Sequence, residues 1–157
     1  MASGFTVQEK IAFPVQTVWT YISDMDLVHT WMKGVNSMTP VVDGIEDCVG
    51  ARYRSNITTP GRGSSRVVEI LAWEPNHRFA LASKEGGISA VYEYVLRARS
   101  SQITDVSLYA ECKATGMWKL IHPLVVQMMK RHDGDQLVLL RQALESTASE
   151  AGRYFEP

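Results

Sequence analysis

The sequence contains too little cysteine for a disulfide framework and has no recognisable cluster of metal ligands. Cys48 and Cys112 are its only cysteines, and neither belongs to a Cys-x-x-Cys or a Cys/His zinc spacing. The four histidines have no mutual metal spacing either, and the His-Glu-x-x-His motif is absent. We therefore expect no metal ion and no cofactor.

The sequence also lacks an excess of positive charge. Sixteen lysines and arginines against seventeen aspartates and glutamates give a net charge of −1. Neutralising phosphates supplies most of the affinity of a general nucleic-acid binder. The charge balance therefore argues against a nucleic-acid partner.

Two kinds of membrane-related segment are missing as well. The N-terminus has neither the charged region nor the apolar region of a secretory signal peptide. No apolar run approaches the roughly 18 residues that suggest a transmembrane helix. These absences predict a cytoplasmic protein without membrane insertion. We expect it to be a monomer or a homodimer.

Familiar catalytic motifs are absent from the chain. There is no Gly-x-Ser-x-Gly nucleophile elbow. Residues 61–65 are rich in glycine, but they lack the Gly-Lys-Ser/Thr ending of a phosphate-binding loop, which favours a hairpin turn. Cys112 lies on the apolar side of a predicted strand and is most simply interpreted as a small buried hydrophobe.

The residues that are present predict a single α+β domain over residues 1–157. Hydrophobic residues make up 45% and charged residues 21% of the chain, as in globular proteins. Residues 5–13 alternate as a half-buried strand, which Pro14 ends. Two short helices are predicted next, over residues 15–25 and 26–33, the second ended by Gly34. Residues 36–113 then form strands with one apolar side, as in an antiparallel sheet covered on one face.

The cover of this sheet is predicted to be a long C-terminal helix over residues 122–145. Its apolar stripe at helical spacing comprises Val125, Met128, Met129, His132, Gln136, Leu139, Leu140 and Ala143. The opposite, outer side carries Lys130, Arg131, Asp133, Arg141 and Glu145. Gly134 lies inside this run and is expected to weaken or bend the helix.

A local pattern near the N-terminus resembles a known superfamily. It consists of residues 12–19 (Ala-Phe-Pro-Val-Gln-Thr-Val-Trp), residues 22–24 (Ile-Ser-Asp) and Trp31. Together with the order of the elements, this pattern resembles the SRPBCC superfamily, which includes START domains, birch-pollen-allergen-like proteins and polyketide cyclase/dehydrase-like proteins. The similarity extends over residues 5–145, nearly the whole chain.

The resemblance implies a helix-grip fold. In that fold a curved antiparallel sheet of about six or seven strands wraps around a long C-terminal helix, and two short helices follow the first strand. The resemblance also implies a deep apolar cavity between sheet and helix. It supplies no universal catalytic residue that could be assigned here.

Within such a cavity, inward-facing residues and the final helix provide the expected ligand contacts. These candidates are Trp31, Tyr53, Ser55, Phe79, Leu81, Tyr92, Tyr94, Leu108, Ala110, Met117, Val125, Met128, Met129 and His132. The methionines are equally compatible with an ordinary core, because methionine fills irregular apolar gaps. The tyrosine hydroxyls either bond one another within the core or hold the polar end of a ligand.

Four residues are candidates for a catalytic role. Tyr92, Tyr94 and His132 could transfer protons near a ligand, although a histidine satisfied by Asp135 or Gln136 is the structural alternative. Glu9 breaks the apolar side of the first strand and could act as a base. Its structural alternative is an ion pair with a basic residue such as Arg52 or Arg54.

Three functions remain open at this point. The first is binding of an apolar or aromatic small molecule, such as a lipid or a polyketide, because such sites are mostly apolar with a few polar groups. The second is a polyketide cyclase/dehydratase-type enzyme. The third is a protein-interaction or chaperone-activator-like module, which would require a sizeable exposed apolar patch.

Overall fold

The predicted strands form one seven-stranded antiparallel sheet. The computed structural model describes residues 2–44, 46–59 and 62–154. Its strands are β1 (Ala2–Ile11), β2 (Val35–Pro40), β3 (Arg52–Thr59), β4 (Arg62–Glu74), β5 (Arg78–Glu85), β6 (Ile88–Ser100) and β7 (Ile103–Ala114). They lie in the order β1-β7-β6-β5-β4-β3-β2. The hairpin turn expected at residues 61–65 lies partly outside the described residues, and β4 already includes Gly63 to Ser65.

Helices cover one face of this sheet. They are α1 (Val15–Ile22), α2 (His122–Asp133) and α3 (Gln136–Tyr154), with two 3₁₀ helices, η1 (Met25–Thr30) and η2 (Gly116–Leu120). The Asp24 side chain accepts a hydrogen bond from the backbone N–H of Asp26, which caps η1. Gly34, at φ +76°, turns the chain into β2, as the sequence predicts for a helix end. This arrangement confirms the helix-grip fold. Among the described residues, no helix has the length and apolar character needed to span a bilayer.

The pairing register decides which side chains face the helices. Tyr92 lies opposite Ala110, and Tyr94 lies opposite Leu108, so these four side chains share one face of the sheet. Tyr94, Leu108 and Ala110 are buried, whereas the outward-facing Tyr109 is exposed. The alternation in the sequence therefore identified the inward face of β6 and β7 correctly.

The C-terminal helix is divided where the sequence contains Gly134. Gly134 and Asp135 separate α2 from α3. A Cβ atom on Gly134 would lie 2.4 Å from the carbonyl oxygen of Lys130, so the close turn requires glycine. The division positions α2 and α3 differently: α2 packs near β1 and β7, and α3 packs near β1, α1 and η1.

The apolar stripe predicted for this helix was wrong in part. On α2 the side that faces the sheet carries His122, Met129 and Asp133, whereas Met128 and His132 are exposed. On α3 the buried positions are Gln136, Leu137, Leu140 and Leu144, whereas Leu139 and Ala143 are only half-buried. The side of α2 that packs against the sheet is the one that contains His122, Met129 and Asp133. This side is rotated about the helix axis by one residue from the side that the sequence predicted.

Two charged residues assigned to the outer side are not there. Asp133 is buried against the sheet. Arg141 is half-buried, and its Nε lies 2.8 Å from Oε1 of Glu9 on β1. Glu9 therefore pairs with Arg141, not with Arg52 or Arg54, and this ion pair ties α3 to the first strand.

Candidate functional site

Asp133 is the centre of a polar cluster between the sheet and α2. The hydroxyl of Tyr92, which projects inward from β6, donates a hydrogen bond of 2.7 Å to Asp133 Oδ2. Nδ1 of the adjacent His132 lies 2.8 Å from Asp133 Oδ1 and donates to it, because a carboxylate can only accept. Both carboxylate oxygens are thus satisfied, as a buried charge requires.

His132 lies at the edge of this cluster, outside the cavity in which the sequence placed it. Its side chain is 56% exposed. A Cβ atom on Gly34 would lie 3.6 Å from His132 Cε1, so the imidazole borders the turn between η1 and β2. The partner of His132 is Asp133, not Asp135 or Gln136. The structural alternative predicted from the sequence, a histidine bonded to Asp135 or Gln136, was therefore wrong about the acceptor.

Tyr94 forms a second link between sheet and helix. Its hydroxyl donates a hydrogen bond of 2.6 Å to Oε1 of Gln136, the first residue of α3. Around its ring, Trp31 makes an edge contact with a centroid distance of 5.4 Å, and Phe79 stacks at 6.1 Å. All four side chains are fully buried. This end of the predicted cavity is therefore packed core.

The opposite end of the concave face is more open. Along the inward side of β6, Ile88, Ala90 and Tyr92 are half-buried, whereas Tyr94 and Leu96 are buried. The same change occurs along β4, where Val68 is buried and Arg66 is half-buried. The helix α2 lies near β1 and β7, on one side of this end. Tyr92 and Asp133 consequently lie where the packed interior gives way to accessible space.

Arg66 gives the open end a positive charge. Its Nη2 atom lies 3.3 Å from Glu85 Oε2, which is a half-exposed ion pair. Its Nε atom is buried and has no hydrogen-bond partner among the described residues. A buried donor without a hydrogen-bond partner is unfavourable. The rest of the guanidinium is partly exposed at the open end, where a polar group can contact it.

The electrostatics of the site keep its phenols protonated. Burial, followed by the negative charge of Asp133 and the hydrogen bond to it, raises the pKa of Tyr92 well above its usual range, and the charge of Arg66 opposes this rise. Burial likewise raises the pKa of Tyr94. At neutral pH both tyrosines are therefore hydrogen-bond donors and not bases.

A comparison with protein families identifies this architecture. The profile of the family described as "Polyketide cyclase / dehydrase and lipid transport" matches residues 4–149. The chain belongs to this family. The match confirms the resemblance to the SRPBCC superfamily. Among curated proteins, none is significantly similar to this chain.

Solved structures show the same fold at low sequence identity. TTHA0849 from Thermus thermophilus has 19% identity and a TM-score of 0.70, covering 90% of this chain and 97% of its own. The Zhui aromatase/cyclase from a Streptomyces species has 12% identity and a TM-score of 0.71, covering 95% and 94%. Ara h 8.0201 has 12% identity and a TM-score of 0.69, covering 93% and 99%. At these identities the likeness establishes the fold alone.

In this member of the polyketide cyclase/dehydrase and lipid-transport family, the predicted ligand contacts separate into three groups. The first group is buried in the packed interior: Trp31, Tyr53, Ser55, Phe79, Leu81, Tyr94, Leu108 and Ala110. The second group is half-buried near the open end: Tyr92, Val125 and Met129. The third group, Met117, Met128 and His132, is exposed. Met117 and Met128 therefore do not line the interior, because η2 and α2 turn these side chains towards solvent.

Sequence reasoning missed Asp133 and Arg66. Arg66 shares the inward parity of Val68 and Ile70 on β4, so the alternation of that strand could have revealed it. Asp133 could have been found only from the correct helical phase, since it follows His122 and Met129 on the buried side of α2.

Two concavities lie outside the region between sheet and helices. A concavity of about 410 Å³ is lined by Pro40 to Val42 and by Cys48 to Tyr53, beside β2 and β3. Another, of about 370 Å³, involves the charged side chains Lys10, Arg97, Arg99 and Asp105 near one end of the sheet. Neither includes Tyr92 or Asp133.

Proposed function

We propose that this protein binds a hydrophobic or aromatic small molecule at the open end of the concave face. The observation that carries the proposal is the Tyr92–Asp133 hydrogen bond, which lies where packed interior meets accessible space. An apolar pocket with a few convergent polar groups is the usual form of a small-molecule site. The description of the family, which includes polyketide cyclases and lipid transport, agrees with this ligand class.

The polar end of the ligand would lie among Tyr92, Asp133 and Arg66. The Tyr92 phenol donates its single proton to Asp133, so towards a ligand its oxygen accepts, whereas the half-buried Arg66 guanidinium donates. An acceptor beside a cationic donor suits a hydroxyl or phenol group of the ligand, which can both donate and accept. The apolar part would contact the half-buried Ala90 and Met129. We expect the protein to do this in the cytoplasm, as a monomer or homodimer.

The test is a titration of the folded protein with an environment-sensitive apolar dye. We expect saturable binding near one dye per chain and displacement by fatty acids or polycyclic aromatics. Tyr92→Phe removes the hydroxyl and with it one hydrogen bond to the ligand, which typically changes binding by about 1 kcal/mol, so the affinity should fall several-fold. Tyr109→Phe is the matched control, because Tyr109 faces outward on β7 and is exposed.

Two results would contradict binding at this place. Absence of saturable dye binding by the folded protein would exclude the function. Equal weakening by Tyr92→Phe and Tyr109→Phe would exclude the open end as its location. Native mass spectrometry of freshly purified protein would identify any ligand that it carries.

A polyketide cyclase/dehydratase-type reaction is the second candidate. It is favoured by the chain of hydrogen bonds from the Tyr92 phenol through the Asp133 carboxylate to the exposed His132 imidazole. Such a chain could pass a proton between a bound ligand and solvent. In an enzyme, Asp133→Asn or His132→Phe would lower turnover of a poly-ketone substrate by about a hundredfold or more while binding persists. In a carrier, neither substitution would have a reaction to affect.

A further inference from the structure

The segment from η2 into α2 exposes an unusual number of large apolar side chains. Met117 is 86% exposed, Leu120 84%, and Met128 61%. Ile121, Leu124 and Trp118 are also exposed. Half of the exposed large hydrophobic side chains of the described residues therefore lie within residues 117–128. A concentration of this kind marks an interaction surface, since single exposed hydrophobics are normal but clusters are not. We call Met117, Leu120, Ile121, Leu124 and Met128 the η2–α2 face.

Contacts with β7 and with the β5–β6 turn anchor the η2–α2 face to the rest of the fold. The Trp118 indole packs on the β5–β6 turn, where a Cβ atom on Gly87 would lie 2.2 Å from Trp118 Cδ1. The backbone N–H of Thr115 donates to the Gly87 carbonyl over 2.8 Å. Nε2 of the buried His122 lies 2.8 Å from the Cys112 carbonyl oxygen. Since His122 and Asp133 occupy the buried side of α2, Leu124 and Met128 project from its other side, and Ile121 is exposed just before the helix begins.

The charges of this segment are all of one sign. Residues 112–132 contain Lys113, Lys119, Lys130 and Arg131 and no aspartate or glutamate, although the whole chain carries a net charge of −1. Lys119, Lys130 and Arg131 have no ion-pair partner among the described residues. The surface thus combines exposed apolar side chains with unneutralised positive charge.

We propose that the η2–α2 face binds to the surface of an anionic lipid bilayer. Apolar side chains that enter the headgroup region, flanked by lysine and arginine, are the pattern of an interfacial segment that lies on a membrane without spanning it. Lipid headgroups of negative charge complement the three unpaired cations. A second copy of this chain complements them poorly, because a two-fold symmetric contact would bring the same cations together.

This surface adjoins the site proposed above. The opposite side of α2 carries Met129 and Asp133, beside Tyr92 and the open end of the concave face. Binding of the η2–α2 face would therefore bring that opening close to the bilayer, from which an apolar molecule could enter. The membrane binding itself does not depend on the proposed ligand.

Co-sedimentation with lipid vesicles tests the proposal. The full chain should sediment with vesicles of phosphatidylcholine and phosphatidylserine, less with phosphatidylcholine alone, and less at high salt. Brominated lipids should quench Trp118 fluorescence, and Trp118→Phe should reduce that quenching. The double variant Met117→Ser, Leu120→Ser and the double variant Lys130→Glu, Arg131→Glu should each lower bound protein at least tenfold.

Matched controls use exposed residues elsewhere on the surface. Val41→Ser with Val42→Ser removes two exposed apolar side chains, and Lys10→Glu with Lys84→Glu reverses two exposed charges. Both controls should bind vesicles like the parent. Dye binding by Met117→Ser, Leu120→Ser should stay at the parental level, which separates this face from the ligand site.

Three results would overturn the proposal. The first is no sedimentation with either vesicle. The second is binding to phosphatidylserine vesicles that both η2–α2 variants retain. The third is a dimer in lipid-free solution that Met117→Ser, Leu120→Ser dissociates, without vesicle binding by the parent. That third result would assign the face to a second copy.

Discussion

At the residue scale, Asp133 carries a negative charge at a place where its local surroundings are unfavourable for one. It lies in the last turn of α2, where the helix dipole disfavours negative charge, and it is buried. The neighbouring Lys130, Arg131 and His132 have the charge that suits this helix end. The hydrogen bonds from Tyr92 and His132 compensate for burial of the carboxylate. A buried carboxylate kept at this helix end is typical of a functional site.

The two cysteines should differ sharply in reactivity. Cys48 is exposed, whereas Cys112 is buried on the inward face of β7, and burial raises the pKa of its thiol. We expect one thiol of the native protein to react quickly with Ellman's reagent and the second to react only after unfolding. Cys48→Ser should remove the fast phase, and Cys112→Ser should leave it unchanged. Two fast thiols in the native parent would contradict the burial of Cys112.

At the element scale, the division of the C-terminal helix sets the geometry of the site. Asp133 ends α2, and Gln136 begins α3. Asp133 accepts a hydrogen bond from the hydroxyl of Tyr92, and Gln136 accepts one from the hydroxyl of Tyr94, two positions further along β6. Residues two apart on a strand lie about 7 Å from one another. The turn at Gly134 and Asp135 lets successive helices meet successive tyrosines.

Gly134→Ala tests this division. Helix propensity alone predicts that alanine would stabilise a continuous helix by about 1 kcal/mol. Here the new Cβ would lie 2.4 Å from the Lys130 carbonyl oxygen, so we expect the free energy of unfolding in urea to fall by about 1–3 kcal/mol. Gly63→Ala is the control, because a Cβ there meets open space. An increase in stability of Gly134→Ala would show that the close turn is not needed.

At the scale of the whole molecule, tyrosine hydroxyls join the sheet to its helical cover. Tyr92 and Tyr94 reach α2 and α3 respectively, and the Glu9–Arg141 ion pair adds a link from β1. The two phenols stabilise the contact between sheet and helices only while they are protonated. An ionised phenolate has no proton to donate and would face the Asp133 carboxylate or the Gln136 side-chain carbonyl oxygen.

This arrangement predicts a loss of stability at alkaline pH. The pKa of both phenols is raised above the ordinary value of 10.0, so above that pH the unfolded chain releases protons that the folded chain retains. The two phenols therefore make their whole contribution to the free energy of unfolding below pH 10. This free energy falls as the pH rises further, by about 1.4 kcal/mol per pH unit for each phenol. The variant with both Tyr92→Phe and Tyr94→Phe should show a shallower decline in urea unfolding, and Tyr109→Phe the parental one. An unchanged slope in the double variant would contradict the prediction.

The inward face of the sheet could be predicted because alternation is a local property of a strand. Tyr53, Tyr94, Leu108 and Cys112 are all buried where the period of two placed them. The helical pattern was less informative. On α2, apolar residues lie on both sides of the helix, because the η2–α2 face exposes Ile121, Leu124 and Met128. The predicted stripe therefore combined the half-buried Val125 and Met129 with Met128 and His132, which face solvent.

By itself the sequence determined the order of the elements, the family fold and the inward face of the strands, because each of these depends on spacing along the chain. Only the tertiary structure decided the partners across the fold. Asp133 accepts a hydrogen bond from Tyr92, and Gln136 accepts one from Tyr94. Arg141 forms an ion pair with Glu9. These partners are 41, 42 and 132 residues apart. Contacts at such separations depend on the rotation of each helix about its axis, and packing against the sheet fixes that rotation.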